Sequence, residues 1–156
     1  MRWGAFAEAR PDLAAEGRRL LYQFSVGLGM LATVGRDGAP RVHPMCPVLV
    51  GDGLYAVIEP GPKRRDLERD GRYALHCHPP AESEDAFYVT GRARAVAADD
   101  PLDREVRLAF WAERGKDEPD PRGAAAGIFE LDVERCLVTR TTGHGDWEPQ
   151  HTVWRA

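Results

Sequence analysis

The sequence predicts a mainly β chain with accessory helices, closed into a small antiparallel barrel. Three observations carry this. Period-2 hydrophobic segments recur at short intervals, and the Asp37-Gly38 and Asp52-Gly53 pairs between the early ones suit tight hairpin turns. Helical periodicity is confined to the start of the chain and to two stretches opened by prolines, so strands do not alternate with helices as a parallel sheet would need. Closing the sheet on itself then removes exposed strand edges.

Taken in order, Leu13, Gly17, Leu20, Leu21 and Phe24 recur at helical spacing after Pro11 and Asp12, which predicts one amphipathic opening helix. Residues 27–34 form a first apolar strand. Residues 40–50 read as its partner, with Val42, Cys46, Val48 and Val50 on the core face and Arg41 and His43 on the other. Pro44 and Pro47 cannot donate ladder hydrogen bonds, so this strand belongs at an edge or carries a bulge. Residues 54–58 make the third strand. Gly61 as N-cap and Pro62 as first helical residue predict a helix over 62–70, anchored by Leu67 and ended by Gly71. Residues 72–78 and 86–97 alternate as the fourth and fifth strands. Asp100 caps and Pro101 opens another helix, with a Leu102, Val106, Ala109 and Phe110 stripe, before Gly115 ends it. Residues 116–127 read as a loop, and 128–139 as a sixth strand with a bulge near Glu134-Arg135. The tail from Thr141 has no period, and docking of Trp147, His151 and Trp154 on the barrel or on a partner subunit is expected, because exposed indoles are costly.

A chain of 156 residues fits one domain, 1–156. With 21 Lys and Arg against 25 Asp and Glu the formal charge is −4, which gives no reason to expect nucleic acid or a membrane as partner. Cys46, Cys77 and Cys136 are odd in number and widely spaced, so a disulfide framework is not expected. The N-terminal segment lacks the apolar stretch of a secretory signal, and the expected location is cytoplasmic.

Chemistry is densest at Gly61-Pro62-Lys63-Arg64-Arg65, where three cations enter a helix directly after a strand. The first turn of a helix leaves backbone N–H groups free and carries partial positive charge, so Lys63 and Arg64 there could complete a phosphate cradle. The same run, KRRDLER, also reads as a solvated helix face with internal ion pairs. Spacing alone leaves both open. Arg41 and His43 are a second candidate pair, or simply surface residues. His43, Cys46, His76, Cys77 and His78 invite a metal, but on a strand Cys77 points away from the two histidines beside it, and no metal site is expected. No nucleophile with base and orienter is recognisable, so no catalytic side chain is assigned.

The blocks GMLATV (29–34), DGAPRVHP (37–44), PKRRDL (62–67) with DGRYALH (70–76), and FYVTGRA (87–93), in this order across residues 13–139, resemble the pyridoxamine 5'-phosphate oxidase-like superfamily. That resemblance implies an antiparallel six-stranded split β-barrel and a homodimer with cofactor clefts at its interface. It implies FMN as cofactor, with the deazaflavin coenzyme F-420 or haem in some branches, and hydride transfer to or from a small organic substrate. A non-catalytic flavin- or haem-binding carrier or sensor is the alternative. Lys63 would bind the phosphate, supported by Arg41 and Arg64. Backbone from Val42 through His43, Pro44, Met45 and Cys46 to Pro47, together with Ile58 and Glu59, would line the ring.

Overall fold

The computed structural model describes residues 1–156, except for the side chain of Arg122. Two helices open the chain, α1 (Trp3–Ala9) and α2 (Pro11–Leu21), where the sequence suggested one. Pro11 explains the second start, since it lacks an N–H and its fixed φ suits a first helical position. The helix ends at Leu21, short of the expected stripe, and Phe24 is 56% exposed. Leu13, Leu20 and Leu21 face the sheet. Gly17 lies so close to the Phe87 ring that a Cβ would come within 2.5 Å of it. Helix α1 adds Trp3 and Phe6, whose rings meet edge to face at 5.4 Å.

Six expected strands become nine. Two of them break, and the tail supplies one more. Strand β1 (Gly29–Val34) pairs with β2 (Pro40–Met45), from Gly29 opposite Met45 to Val34 opposite Pro40. The chain then leaves that sheet at Cys46, and β3 (Pro47–Val50) pairs instead with β4 (Gly53–Ile58). The parity of the buried face changes at this crossing. Met45 points inward before it and Val48 and Val50 after it. Arg41 and His43 therefore share the face of Met45, whereas Val42, expected in the core, is 61% exposed. The turn into β4 is Gly51-Asp52 rather than Asp52-Gly53, because Gly51 adopts the positive φ of 54° that the turn requires.

Strands β5 (Arg72–Cys77), β6 (Ala86–Ala95), β7 (Gly127–Leu131), β8 (Arg135–Arg140) and β9 (Gln150–Arg155) complete two antiparallel sheets. One runs β2-β1-β5-β6-β8-β9 and the other β6-β7-β4-β3, with β6 shared. The first half of β6 pairs with β8 and its last residues with β7. Gly91 sits between these halves, where a Cβ would come within 1.8 Å of the Asp132 carbonyl oxygen. The expected bulge in 128–139 is thus a crossing between sheets. The result is a curled, mainly antiparallel half-barrel with a few helices, consistent with a split β-barrel.

Helix α3 (Pro62–Arg69) follows β4 and sends Leu67 into the core, and Gly71, at φ 75°, turns the chain into β5. Helix α4 (Pro101–Ala112) starts as expected, with the Asp100 side chain accepting the Leu102 N–H at 2.9 Å. Its Val106 joins Val48, Val50, Tyr55 and Ile128 in a second apolar cluster. The tail corrects the sequence reading. As β9 it docks Trp154 against Phe6, with ring centroids 5.0 Å apart, and His151 hydrogen-bonds Thr139, but Trp147 in the β8–β9 loop is 96% exposed. No helix among the described residues is long and apolar enough to cross a membrane.

Candidate functional site

Helix α3 begins without a side-chain cap, because Gly61 has none to offer. The first N–H taken up is that of Arg65, by the Gly61 carbonyl at 3.1 Å. Pro62 has no N–H, so those of Lys63 and Arg64 have no acceptor within the helix. Pro62, Arg65, Asp66 and Arg69 fall on one helical face, at i, i+3, i+4 and i+7, and that face looks onto the β1–β2 hairpin.

Asp66 organises what lies between. Its carboxylate is buried and accepts from the Thr33 hydroxyl at 3.0 Å, from Arg41 Nε at 3.0 Å and from Arg69 at 3.2 Å. Burial would push this carboxyl above its usual range, but the hydrogen bonds from Arg41, Arg69 and Thr33 outweigh it and hold the pKa below. Arg69 also donates to the Val34 carbonyl. Above this network opens a cavity of about 550 Å³ lined by Arg36, Arg41, Pro62, Arg65, Asp66 and Arg69. Four guanidiniums against one carboxylate leave it a formal charge of +3. Arg36 and Arg65 have no ion pair or side-chain hydrogen bond among the described residues. Unpaired cations crowded at a helix start are unfavourable until an anion joins them.

The residues singled out in the sequence divide between this cavity and its surroundings. Arg41 is on the wall, with its Nε committed to Asp66. Arg64 turns away, pairing with Glu68 at 2.8 Å and donating to the Ala125 carbonyl at 2.9 Å. To that extent KRRDLER is the ion-paired helix face it resembled. Lys63 is half-buried, is not on the wall, and has no hydrogen-bond or salt-bridge partner among the described residues. Burial pushes its pKa down, and the Cys46 side chain partly opposes that shift. His43 Nε2 is buried with no hydrogen-bond partner. Pro44 is exposed, Met45 buried and Cys46 half-buried, and Glu59 is exposed at the end of β4. Ile58 is fully buried, in register with Gly127, so its side chain faces the core.

Of the other wall residues, Arg65 entered the sequence reading as one of the three cations at the helix start, Arg69 only as part of KRRDLER, and Arg36 only as the neighbour of the Asp37-Gly38 turn. Helical spacing from Pro62 was the signal available for the first two; Arg36 is brought in by the hairpin. The histidines near Cys77 are otherwise engaged. His76 and His78 donate through Nδ1 to the carbonyls of Cys77 and Pro79. The Cys77 sulfur accepts the Phe87 N–H at 3.2 Å, and burial raises its pKa. Among the described residues no three His, Cys, Asp or Glu side chains converge as a metal site would need.

Comparison with known proteins bears on the family and the fold. The sequence profile of pyridoxamine 5'-phosphate oxidase matches residues 20–139. Among solved structures, a heme binding protein from Mycobacterium smegmatis superposes with a TM-score of 0.62 at 23% identity, over 88% of this chain. The chain spans only 57% of that protein's length. An F420 reductase superposes at 0.61 with 21% identity, over 76% of this chain and 94% of its own. Group A Streptococcus HupZ does so at 0.62 with 19% identity, over 85% and 95%. At such identities the superpositions speak for the fold. No curated protein sequence matches the chain.

Proposed function

The chain belongs to the pyridoxamine 5'-phosphate oxidase family, and on that premise we propose that it is a flavin-dependent oxidoreductase with FMN as cofactor and a small organic substrate. The observation that carries this reading is the cavity of four arginines facing the uncapped start of α3. Its residues suit a phosphate dianion: among the described residues Arg36 and Arg65 are unpaired, and Arg41 and Arg69 keep donors beyond those spent on Asp66 and the Val34 carbonyl. Lys63 lies beside the wall rather than on it; burial lowers its pKa, and a nearby anion would favour its charged form.

Next to this cavity runs β2, an edge strand paired only with β1. Alternate backbone groups along its outer edge are free to meet the polar rim of a heterocycle between Val42 and Cys46, and the orphaned His43 Nε2 offers one more polar atom. The bound flavin would supply hydride transfer, and the protein's part is to hold and orient it and to exclude water. A deazaflavin such as coenzyme F-420 presents a phosphate to the same cations.

A homodimer completes the proposal. Pro44, Met30, His76, Tyr88, Leu137 and Val153 lie side by side across six strands on the outward face of the longer sheet. A row of this length, apolar apart from His76 and the Tyr88 hydroxyl and none of it fully buried, is what a second copy would cover. Titrating the purified protein with FMN, F-420 and haem, followed by absorption and thermal midpoint, tests the reading. FMN or F-420 binding that competes with pyrophosphate is expected. Binding of haem alone would replace the oxidoreductase with a carrier, and binding of none would overturn the cofactor site.

A further inference from the structure

We infer that Asp66 is a positioning residue, a buried carboxylate whose work is to aim Arg41 and Arg69 into the anion cavity rather than to neutralise them. This rests on the cavity being an anion site. The chemistry of the site taken alone argues against a carboxylate here, because Asp66 removes one unit of positive charge from a place that gains by keeping it. A helix start favours an acidic side chain, but that benefit needs no burial and no convergence of partners.

The geometry supplies the reason. Asp66 accepts three hydrogen bonds from three elements: Thr33 on β1, Arg41 on β2 and Arg69 in the last turn of α3. Thr33 and Asp66 are both buried, so the anchor is fixed, while both arginines are more than a third exposed; among the described residues Arg41 has no other side-chain partner and would otherwise sample many rotamers, whereas Arg69 is held at a second point by the Val34 carbonyl. Arg41 uses Nε for the anchor, which leaves both terminal nitrogens of its fork for a ligand. The carboxylate thus trades net charge for pre-organisation, and a ligand meets guanidiniums already ordered.

Charge and geometry predict opposite signs for one substitution. Asp66→Asn raises the formal charge of the cavity from +3 to +4. If net charge governs affinity, this variant binds phosphate ligands more tightly; if Asp66 positions, it binds them more weakly. Pyrophosphate and FMN are titrated separately into wild type, Asp66→Asn and Asp66→Glu, at two salt concentrations, with circular dichroism to confirm folding. Asp66→Glu keeps the charge and moves the carboxylate outward by one methylene, so it carries the test if Asp66→Asn does not fold.

We expect at least a tenfold loss for Asp66→Asn, with a steeper fall of affinity with salt because the added charge persists without the geometry, and several-fold loss for Asp66→Glu. Equal or tighter binding by folded Asp66→Asn, or unchanged binding by Asp66→Glu, overturns the positioning role while leaving the anion site in place. Absence of pyrophosphate and FMN binding by wild type overturns the anion site itself.

Discussion

Reversing the charge of Arg65 separates a ligand site from a solvated helix face, because affinity and stability should respond in opposite directions. Arg65 lines the cavity and makes no ion pair or side-chain hydrogen bond among the described residues, so the empty protein loses none of these there when it is replaced. Arg65→Glu takes the cavity from +3 to +1. A charge-assisted hydrogen bond to a ligand is worth about 1.5–3 kcal/mol, and each 1.4 kcal/mol is about tenfold in affinity, so FMN binding should weaken about 10- to 100-fold. A carboxylate near the start of α3 should meanwhile stabilise the unliganded fold by about 0.3–1 kcal/mol. The control is Arg104→Glu on α4, an exposed arginine at the same fourth helical position in a helix that does not line the cavity. Arg69 cannot serve, since it lines the same cavity although it ends the helix. Flavin fluorescence gives the affinity and thermal unfolding without ligand gives the stability. FMN affinity within twofold of wild type for Arg65→Glu, or a fall in stability that tracks the fall in affinity, would refute the reasoning.

Three further outcomes follow from the packing. Gly17→Ala should destabilise: alanine gains about 1 kcal/mol in a helix, but its methyl would meet the fully buried Phe87 ring at 2.5 Å, and such overpacking costs about 1–3 kcal/mol; a raised unfolding midpoint in denaturant would contradict this. Of the three thiols, half-buried Cys46 should be the one that maleimide modifies in the native protein at pH 8, since Cys77 and Cys136 are buried and burial pushes the Cys136 thiol up to about 12; mass spectrometry showing rapid triple labelling would argue against these positions. Asp66 should contribute to acid unfolding. Its folded pKa lies below its unfolded value near 3.8, so its stabilisation is complete above that value and is lost as pH falls through the folded one. Asp66→Asn should flatten the stability curve only below about pH 4, the range in which the unfolded carboxyl takes up its proton, and an unchanged slope there would count against the network.

What the sequence made legible is what local alternation encodes. Strands β1 and β5 were readable because each buries one face throughout, β4 because it is a short apolar run buried on both faces, and the starts of α3 and α4 because proline marks them. The break at Cys46 was not, since two prolines in an apolar run look the same whether the strand bulges within one sheet or passes to another. That ambiguity placed Val42 on the wrong face. Strand β9 escaped because nearly all of it is exposed, so it carries no hydrophobic period to read.

The site was legible in its ingredients but not in its arrangement. Lys63, Arg64 and Arg65 are adjacent in sequence, yet the helix sends them to three surroundings: beside Cys46, onto Glu68 and Ala125, and into the cavity. Arg69, which the sequence places far from the helix start, returns to the cavity because seven residues are nearly two full turns. Asp66 was the most deeply hidden. Within KRRDLER it looks like one more solvated acid, and hydropathy cannot tell a buried carboxylate from an exposed one. Only Thr33 and Arg41, 33 and 25 residues away, show that it is an anchor. A site assembled around a buried charge is therefore recognisable from its partners' positions in the fold, and the partners can be found in the sequence only once the register of β1 with β2 is known.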